Sequence, residues 1–224
     1  MVEDHFIRLV DVTKIYHLGN SRVVALNQLD LNVSKGEFLA ITGKSGCGKS
    51  TLINILGGLD SPDEGQVVVG GKDISRMDDR GLTLFRRDRI GIIFQFFNLL
   101  PILSLEENII LPHLLREGSN TTGARIDRLL HEMGLYERRH HKPHELSGGE
   151  MQRTAICRAL INDPAIILAD EPTGNLDSTS GKQVLEILRR LRSEQGKTVI
   201  LVTHSQEGAA TADRVIRMQD GRLL

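Results

Sequence analysis

Along this chain of 224 residues, short apolar runs rich in β-branched side chains alternate with longer stretches in which apolar residues recur at helical spacing. A largely parallel sheet flanked by helices leaves that pattern. Four runs, 38–42, 90–94, 166–169 and 199–202, are nearly continuous in apolar residues, as strands covered on both faces must be. From about 98 to 164 the texture changes to one helical segment after another, broken by polar stretches at 117–123 and 140–143. Upstream, 6–33 is dense in β-branched residues and turn formers, and 67–69 continues that character before a Gly70-Gly71 turn. The expectation is one α/β unit spanning 1–224. Residues 1–97 and 165–224 form its core with an N-terminal antiparallel β region, and 98–164 form an inserted helical subdomain.

Composition narrows the classes. Lys and Arg total 28 against 29 Asp and Glu, so the net charge is -1 and no basic excess favours nucleic acid as a partner. Cys47 and Cys157 stand far apart and outside any CxxC pair, which argues against a disulfide framework or a zinc site and for a reducing compartment. The start, Met1-Val2-Glu3-Asp4, is acidic where a secretory signal carries positive charge. The most apolar stretch, 90–103, is interrupted by Gln95, Asn98 and Pro101 and falls short of the roughly 18 residues of a spanning helix. No direct membrane span is expected, so any membrane role has to come through a partner.

The chemistry begins after the first buried strand. Gly43-Lys44-Ser45-Gly46-Cys47-Gly48-Lys49-Ser50-Thr51 satisfies G-x-x-x-x-G-K-[ST] between a strand and a helix. Glycines there let backbone N–H groups meet phosphate oxygens at a positive helix end, while Lys49 reaches the β- and γ-phosphates and Ser50 can ligate Mg²⁺. No N-K-x-D element for reading guanine is present. The strand 166–169 ends in Asp170-Glu171, which places one carboxylate for the Mg²⁺ shell and a second suited to act as general base for an attacking water. Cys47, among N–H groups at a helix start, is expected to favour its thiolate and to react with a maleimide, with MgATP protecting.

Leu146-Ser147-Gly148-Gly149-Glu150 reads first as an S-x-x-E capping box ahead of an ordinary buried helix face. Two successive glycines in a first helical turn cost stability, though, and suit a backbone that approaches something closely. Taken with the phosphate loop, Asp170-Glu171, Gln95 after a strand, Gly174-Asn175-Leu176-Asp177 after Pro172, and His204 closing 199–203, this stretch resembles the ATP-binding-cassette family nearly end to end. The resemblance implies a P-loop NTPase core of the RecA-like kind. It implies an ATPase that uses ATP and Mg²⁺, with Gln95 linking the metal and lytic water to a transport partner and His204 contacting the γ-phosphate. Tyr16 resembles the aromatic that stacks on adenine. Ser147, Gly148 and Gly149 would close on the nucleotide of a second copy, giving a homodimer with two ATP sites, and Asp177 belongs to the same ATP-binding pattern.

Gly57-Gly58-Leu59-Asp60, Phe94-Gln95 through Leu100-Pro101, and Glu107-Asn108 resemble the branch containing lipoprotein-releasing, macrolide-exporting and antimicrobial-peptide-handling systems. That branch implies a cytoplasmic chain held at the inner face of a bacterial membrane by a separate transmembrane permease subunit. A cell-division signalling cassette acting through a membrane protein shares every catalytic residue and remains the alternative. Phe96, Phe97, Leu99 and Leu100 are either core of the helical insert or the groove for the membrane partner. His140, His141 and His144, split by Pro143, read as a solvated loop rather than a metal site, and Arg86, Arg87 and Arg89 as a solvated helix side.

Overall fold

The computed structural model describes residues 5–19, 21–116 and 122–224. The acidic start at 1–4 and most of the predicted polar break at 117–123 lie outside them. A six-stranded sheet has the order β10-β9-β3-β8-β7-β6. Its parallel centre comprises β3 (Phe38–Thr42), β6 (Ile90–Ile93), β7 (Ile166–Asp170) and β8 (Thr198–Thr203). β9 (Arg214–Gln219) adds to β3 in parallel, and β10 (Arg222–Leu223) turns back on it.

These strands are apolar throughout because both faces are covered, and alternate residues serve different clusters. Leu39, Ile41, Leu168, Ile200 and Val202 point to one side, where they meet Leu52, Ile53 and Leu56 of α1 (Lys49–Leu56) and the antiparallel sheet. Ile93, Ile167, Ala169, Val199 and Leu201 face the other cluster. There they meet Leu105 and Ile109 of α3 (Leu105–Leu114), Ile156 and Leu160 of α5 (Gly148–Leu160), and Val184 and Leu188 of α6 (Ser178–Ser193).

The second sheet, β2-β1-β4-β5, is antiparallel as expected and is built from β1 (Ile7–Leu18), β2 (Ser21–Val33), β4 (Glu64–Val69) and β5 (Lys72–Asp73). α2 (Asp79–Arg89) leads into β6, α4 (Thr122–Glu132) follows α3, and α7 (Gln206–Ala210) follows β8. Of the basic run in α2, Arg86 donates to the Gly58 carbonyl and Arg87 pairs with Asp88 at 2.9 Å. Nothing in the apolar pattern foreshadows the final pair of strands. In β9 the apolar Val215, Ile216 and Met218 are interspersed with exposed Arg214, Arg217 and Gln219, and only Met218 is fully buried.

Local chemistry sets the helix ends. Ser104 and Glu107 form a capping box on α3, and Asn108, wholly buried one position further, accepts from Leu100 N at 2.7 Å and donates to the carbonyls of Leu100, Leu103 and Ser104. Arg139 then ties α3 to the following segment, meeting Glu106 at 2.6 and 2.9 Å and Asp127 at 3.1 Å.

Two outcomes follow from this packing. Leu201→Ala removes a fully buried side chain from the sheet centre and is expected to cost about 2–5 kcal/mol. Val215→Ala, at a position 51% exposed on β9, should stay within about 0.5 kcal/mol, both read from urea midpoints. The hydrogen bond from Arg139 holds the Glu106 carboxyl below its ordinary value of 4.5. Stabilisation from that carboxylate is therefore fully present above about pH 4.5 and lost as pH falls through the lower folded-state value. The stability gap between the parent and Glu106→Gln should be flat at neutral pH and close in acid. A gap unchanged down to about pH 2 would contradict the pairing.

Candidate functional site

Parallel pairing brings the carboxyl ends of the central strands to one edge of the sheet. Thr42 lies opposite Thr203, Asp170 opposite Val202, and Ile93 opposite Ala169. The phosphate loop after β3, Asp170-Glu171 at the end of β7, His204 after β8 and Gln95 after β6 therefore emerge side by side, in the crevice where open α/β sheets bind ligands.

The loop curls around its own lysine. Lys49 is 5% exposed, and its ammonium donates to the carbonyls of Gly43 at 2.9 Å and Lys44 at 3.0 Å. It makes no ion pair among the described residues. Around it, the N–H groups of Ser45, Gly46, Gly48, Lys49 and Ser50 donate no hydrogen bond among the described residues, which leaves the start of α1 with free donors at its positive end. Gly48 sits at φ 110, and a Cβ there would lie 2.3 Å from the Ala25 carbonyl oxygen, so only glycine lets the loop turn at this point.

One expectation fails here. Cys47 is 7% exposed, with its side chain in the main apolar cluster alongside Met218 and Leu26. A residue between glycines reads as loop surface in sequence, but the loop's curl points this one inward, and maleimide access is lost.

The acidic end of β7 divides into two roles. The Asp170 carboxyl is pushed up chiefly by burial and further by the neighbouring charge of Glu171, against the opposing pull of the nearby Ser50 hydroxyl and the Lys49 charge. Glu171 adopts φ 47, held by its N–H to the Val202 carbonyl at 2.9 Å, and His204 Nδ1 lies 2.9 Å from its Oε2. Gln95 and Asn175 clasp each other, Asn175 Nδ2 donating to Gln95 O at 3.1 Å and Gln95 Nε2 reaching Asn175 Oδ1 at 3.5 Å. A hydroxyl, a carboxylate kept partly buried and an amide oxygen form an oxygen donor set suited to Mg²⁺, which takes few protein ligands beside phosphate and water.

Other expected residues are placed differently. Tyr16 lies on β1 of the antiparallel sheet, where its hydroxyl donates to Asp60 Oδ2, in the turn that follows α1, at 2.7 Å, with Lys14 Nζ 5.4 Å from its ring centre. Ser147 is the exposed cap of α5, with its hydrogen bonds confined to Glu150 and Met151 and none reaching 43–51 among the described residues. The N–H groups of Gly148 and Gly149 donate nothing among the described residues. Gly149 has its own steric reason, since a Cβ there would come within 2.6 Å of Ser180 Oγ. The close approach expected of this glycine is thus made to α6 of the same chain. Asp177 caps α6, accepting from Thr179 N and Ser180 N at 3.0 Å each.

Sequence reasoning missed Gln152 and Arg158. Gln152 is wholly buried and donates to the carbonyls of Phe94 and Pro172, which flank Gln95 and Glu171. A buried amide in a helix otherwise lined by Ala155, Ile156 and Leu160 was the available signal.

Known proteins carry the same framework. A family model described as ABC transporter matches residues 26–174. An uncharacterized ABC transporter ATP-binding protein of Thermotoga maritima is 48% identical over 217 residues, covering 96% of this chain and 92% of that one. The macrolide export ATP-binding/permease protein MacB of Bdellovibrio bacteriovorus is 47% identical over 210 residues, covering 94% of this chain but 32% of that protein. This chain thus spans about a third of its length. A solved dimeric structure of the Methanocaldococcus jannaschii cassette MJ0796, in a post-hydrolysis state bound to ADP and Pi, superposes with a TM-score of 0.91 at 43% identity, covering 97% of this chain and 96% of that one. By sequence over nearly its whole length and by fold, the chain belongs to the ABC transporter family, as one of its ATP-binding subunits.

Proposed function

We propose that two copies of this chain clasp two ATP molecules between them and that hydrolysis drives a separate membrane subunit. The observation that carries this is the phosphate loop, where free N–H groups at the start of α1 surround a buried lysine that has no carboxylate partner among the described residues. Such a site is complete only with a polyanion. Gly43 through Thr51 hold the phosphates, Lys49 grips the β- and γ-groups, and Tyr16 takes the adenine face. Ser50, Asp170 and Gln95 hold Mg²⁺, which, when bound, neutralises charge on the phosphate oxygens.

Glu171 takes the proton from the attacking water, and His204, 2.9 Å from it, keeps that carboxylate aimed while reaching the γ-phosphate. The missing coverage of that phosphate comes from Ser147, Gly148 and Gly149 of the second copy, whose free N–H groups serve where other ATPases use an arginine. Asp177 helps shape that junction through the start of α6. The dimeric state of the archaeal cassette supports the pairing. Residues 98–164 act as a subdomain that presents α5, on the core formed by 1–97 and 165–224.

The membrane partner has a surface to meet. Phe96 is 72% exposed and Ile102 77%, and Leu100 between them is also exposed. Phe94 and Asn98 of the same segment line a cavity of about 330 Å³ together with Ile92, Pro112 and Arg158 among others. Of the two fates open to 96–100, exposure favours the docking groove. No helix among the described residues is long and apolar enough to cross a membrane, and the MacB relatives carry the cassette within an ATP-binding/permease protein. In this reading a permease subunit holds the chain at the cytoplasmic face, and the ATP-binding/permease organisation of the MacB relatives is what supports it.

Glu171→Gln is expected to retain ATP binding while hydrolysis falls roughly 10²–10⁴-fold and ATP-bound dimers accumulate in gel filtration. Full turnover in that variant would place the base elsewhere. Ser147→Arg and Lys49→Ala should each abolish most activity alone, Lys49→Ala through lost ATP affinity. When the two are mixed, one intact composite site per heterodimer should restore a measurable fraction. Absence of any recovery, with heterodimers present, would count against closure by a second copy.

A further inference from the structure

We infer that Gln152 and Arg158 are positioning residues that suspend the Gln95 loop from α5, the helix whose tip is Ser147. Gln95 follows β6 in a loop without regular structure, and among the described residues its own hydrogen bonds reach only Asn175. Two side chains of α5 hold that loop on either side of it. Before Gln95, the buried Gln152 amide donates to Phe94 O at 3.4 Å and to Pro172 O at 2.8 Å. After it, the Arg158 guanidinium donates to Phe97 O at 2.8 Å and to Asn98 O. One helix therefore fixes both ends of the segment that carries the glutamine, and through Pro172 it also fixes the residue next to Glu171.

Packing alone does not account for either residue. The Gln152 Oε1 atom is buried without a hydrogen-bond partner, a cost that an apolar side chain of the same size avoids. What the amide contributes is its NH₂ group, which faces the two carbonyls. Phe97 and Asn98 are successive non-glycine residues at φ 59 and φ 51, a left-handed pair that backbone sterics disfavour. The planar guanidinium fork meets the carbonyls of that pair, where a single ammonium would satisfy only one geometry well. No carboxylate pairs with Arg158 among the described residues, so its charge is directed at the loop. A rigid-body shift of α5 that moved its Ser147 tip would therefore carry Gln95 with it.

The test uses the full chain and reads the loop directly. Amide hydrogen exchange of 95–98 is followed by mass spectrometry in the parent, Gln152→Leu, Arg158→Met and Arg158→Lys, alongside ATPase kinetics and melting temperature. Release of the loop should speed exchange at 95–98 by roughly tenfold or more while β7 and β8 stay protected. It should lower kcat roughly 10- to 100-fold and leave KM for ATP within about twofold, with Arg158→Lys intermediate. Should Arg158→Met fail to fold, Gln152→Leu and Arg158→Lys carry the test. Unchanged exchange at 95–98 in folded variants overturns the inference, as does a parallel loss of kcat, KM and melting temperature. The kinetic arm rests on the role proposed above for Gln95. Faster exchange at full kcat would therefore support the suspension and refute that role, and Gln95→Ala would then be equally silent.

Discussion

The site depends on where the parallel strands stop. Register in β3, β8, β7 and β6 is set by backbone hydrogen bonds and by two apolar clusters, one on each face. A slip of one residue would send Leu201 and Ile200 to each other's cluster, so the strand ends have no freedom. Gly43, Asp170, Glu171, His204 and Gln95 are each placed within two residues of such an end. Their loops add little conformational choice, and the precision of the sheet becomes the precision of the site.

Electrostatics then leaves the site incomplete without a ligand. Lys49 is buried with only two carbonyls to balance it, and Asp170 is held between the wish of its burial to be neutral and the cation beside it. A buried ammonium and a partly buried carboxylate that do not form an ion pair with each other are costly unless another charged group completes both. A phosphate against the first and a divalent cation against the second satisfy that need together, which is why the lysine, the hydroxyl and the acid occur as one constellation.

Much of this was legible in the sequence because it is local. The phosphate loop is a contiguous string between a strand and a helix, the acids end an apolar run, and Ser147 with Glu150 forms the capping box that its spacing announces. Features that depend on distant residues were not legible. Cys47 is buried in the same apolar cluster as Met218 and Leu26, which no neighbour in sequence reveals. The crowding at Gly149 comes from Ser180. β9 and β10 carry several exposed polar or charged residues, so they lack the continuous apolar signature that marks the central strands. Gln152 looked like one polar residue on a helix until Phe94 and Pro172 were seen to converge on it.

α5 joins these levels. Its tip offers the N–H groups of Gly148 and Gly149, unpaired among the described residues, its middle packs into the apolar cluster through Ile156 and Leu160, and its polar side chains grip the loop after β6. A helix so embedded cannot bend to serve one end alone, since the packed interior transmits displacement rather than absorbing it. Contact at the tip and placement of Gln95 are therefore two readings of one rigid-body coordinate. No relay of intermediate side chains is required, only a helix free to tilt against the sheet. The exposed Phe96 and Leu100 lie on the same loop. A partner seated on them would act on that coordinate from its other end, and under the proposed function nucleotide closure and membrane movement would then share one lever.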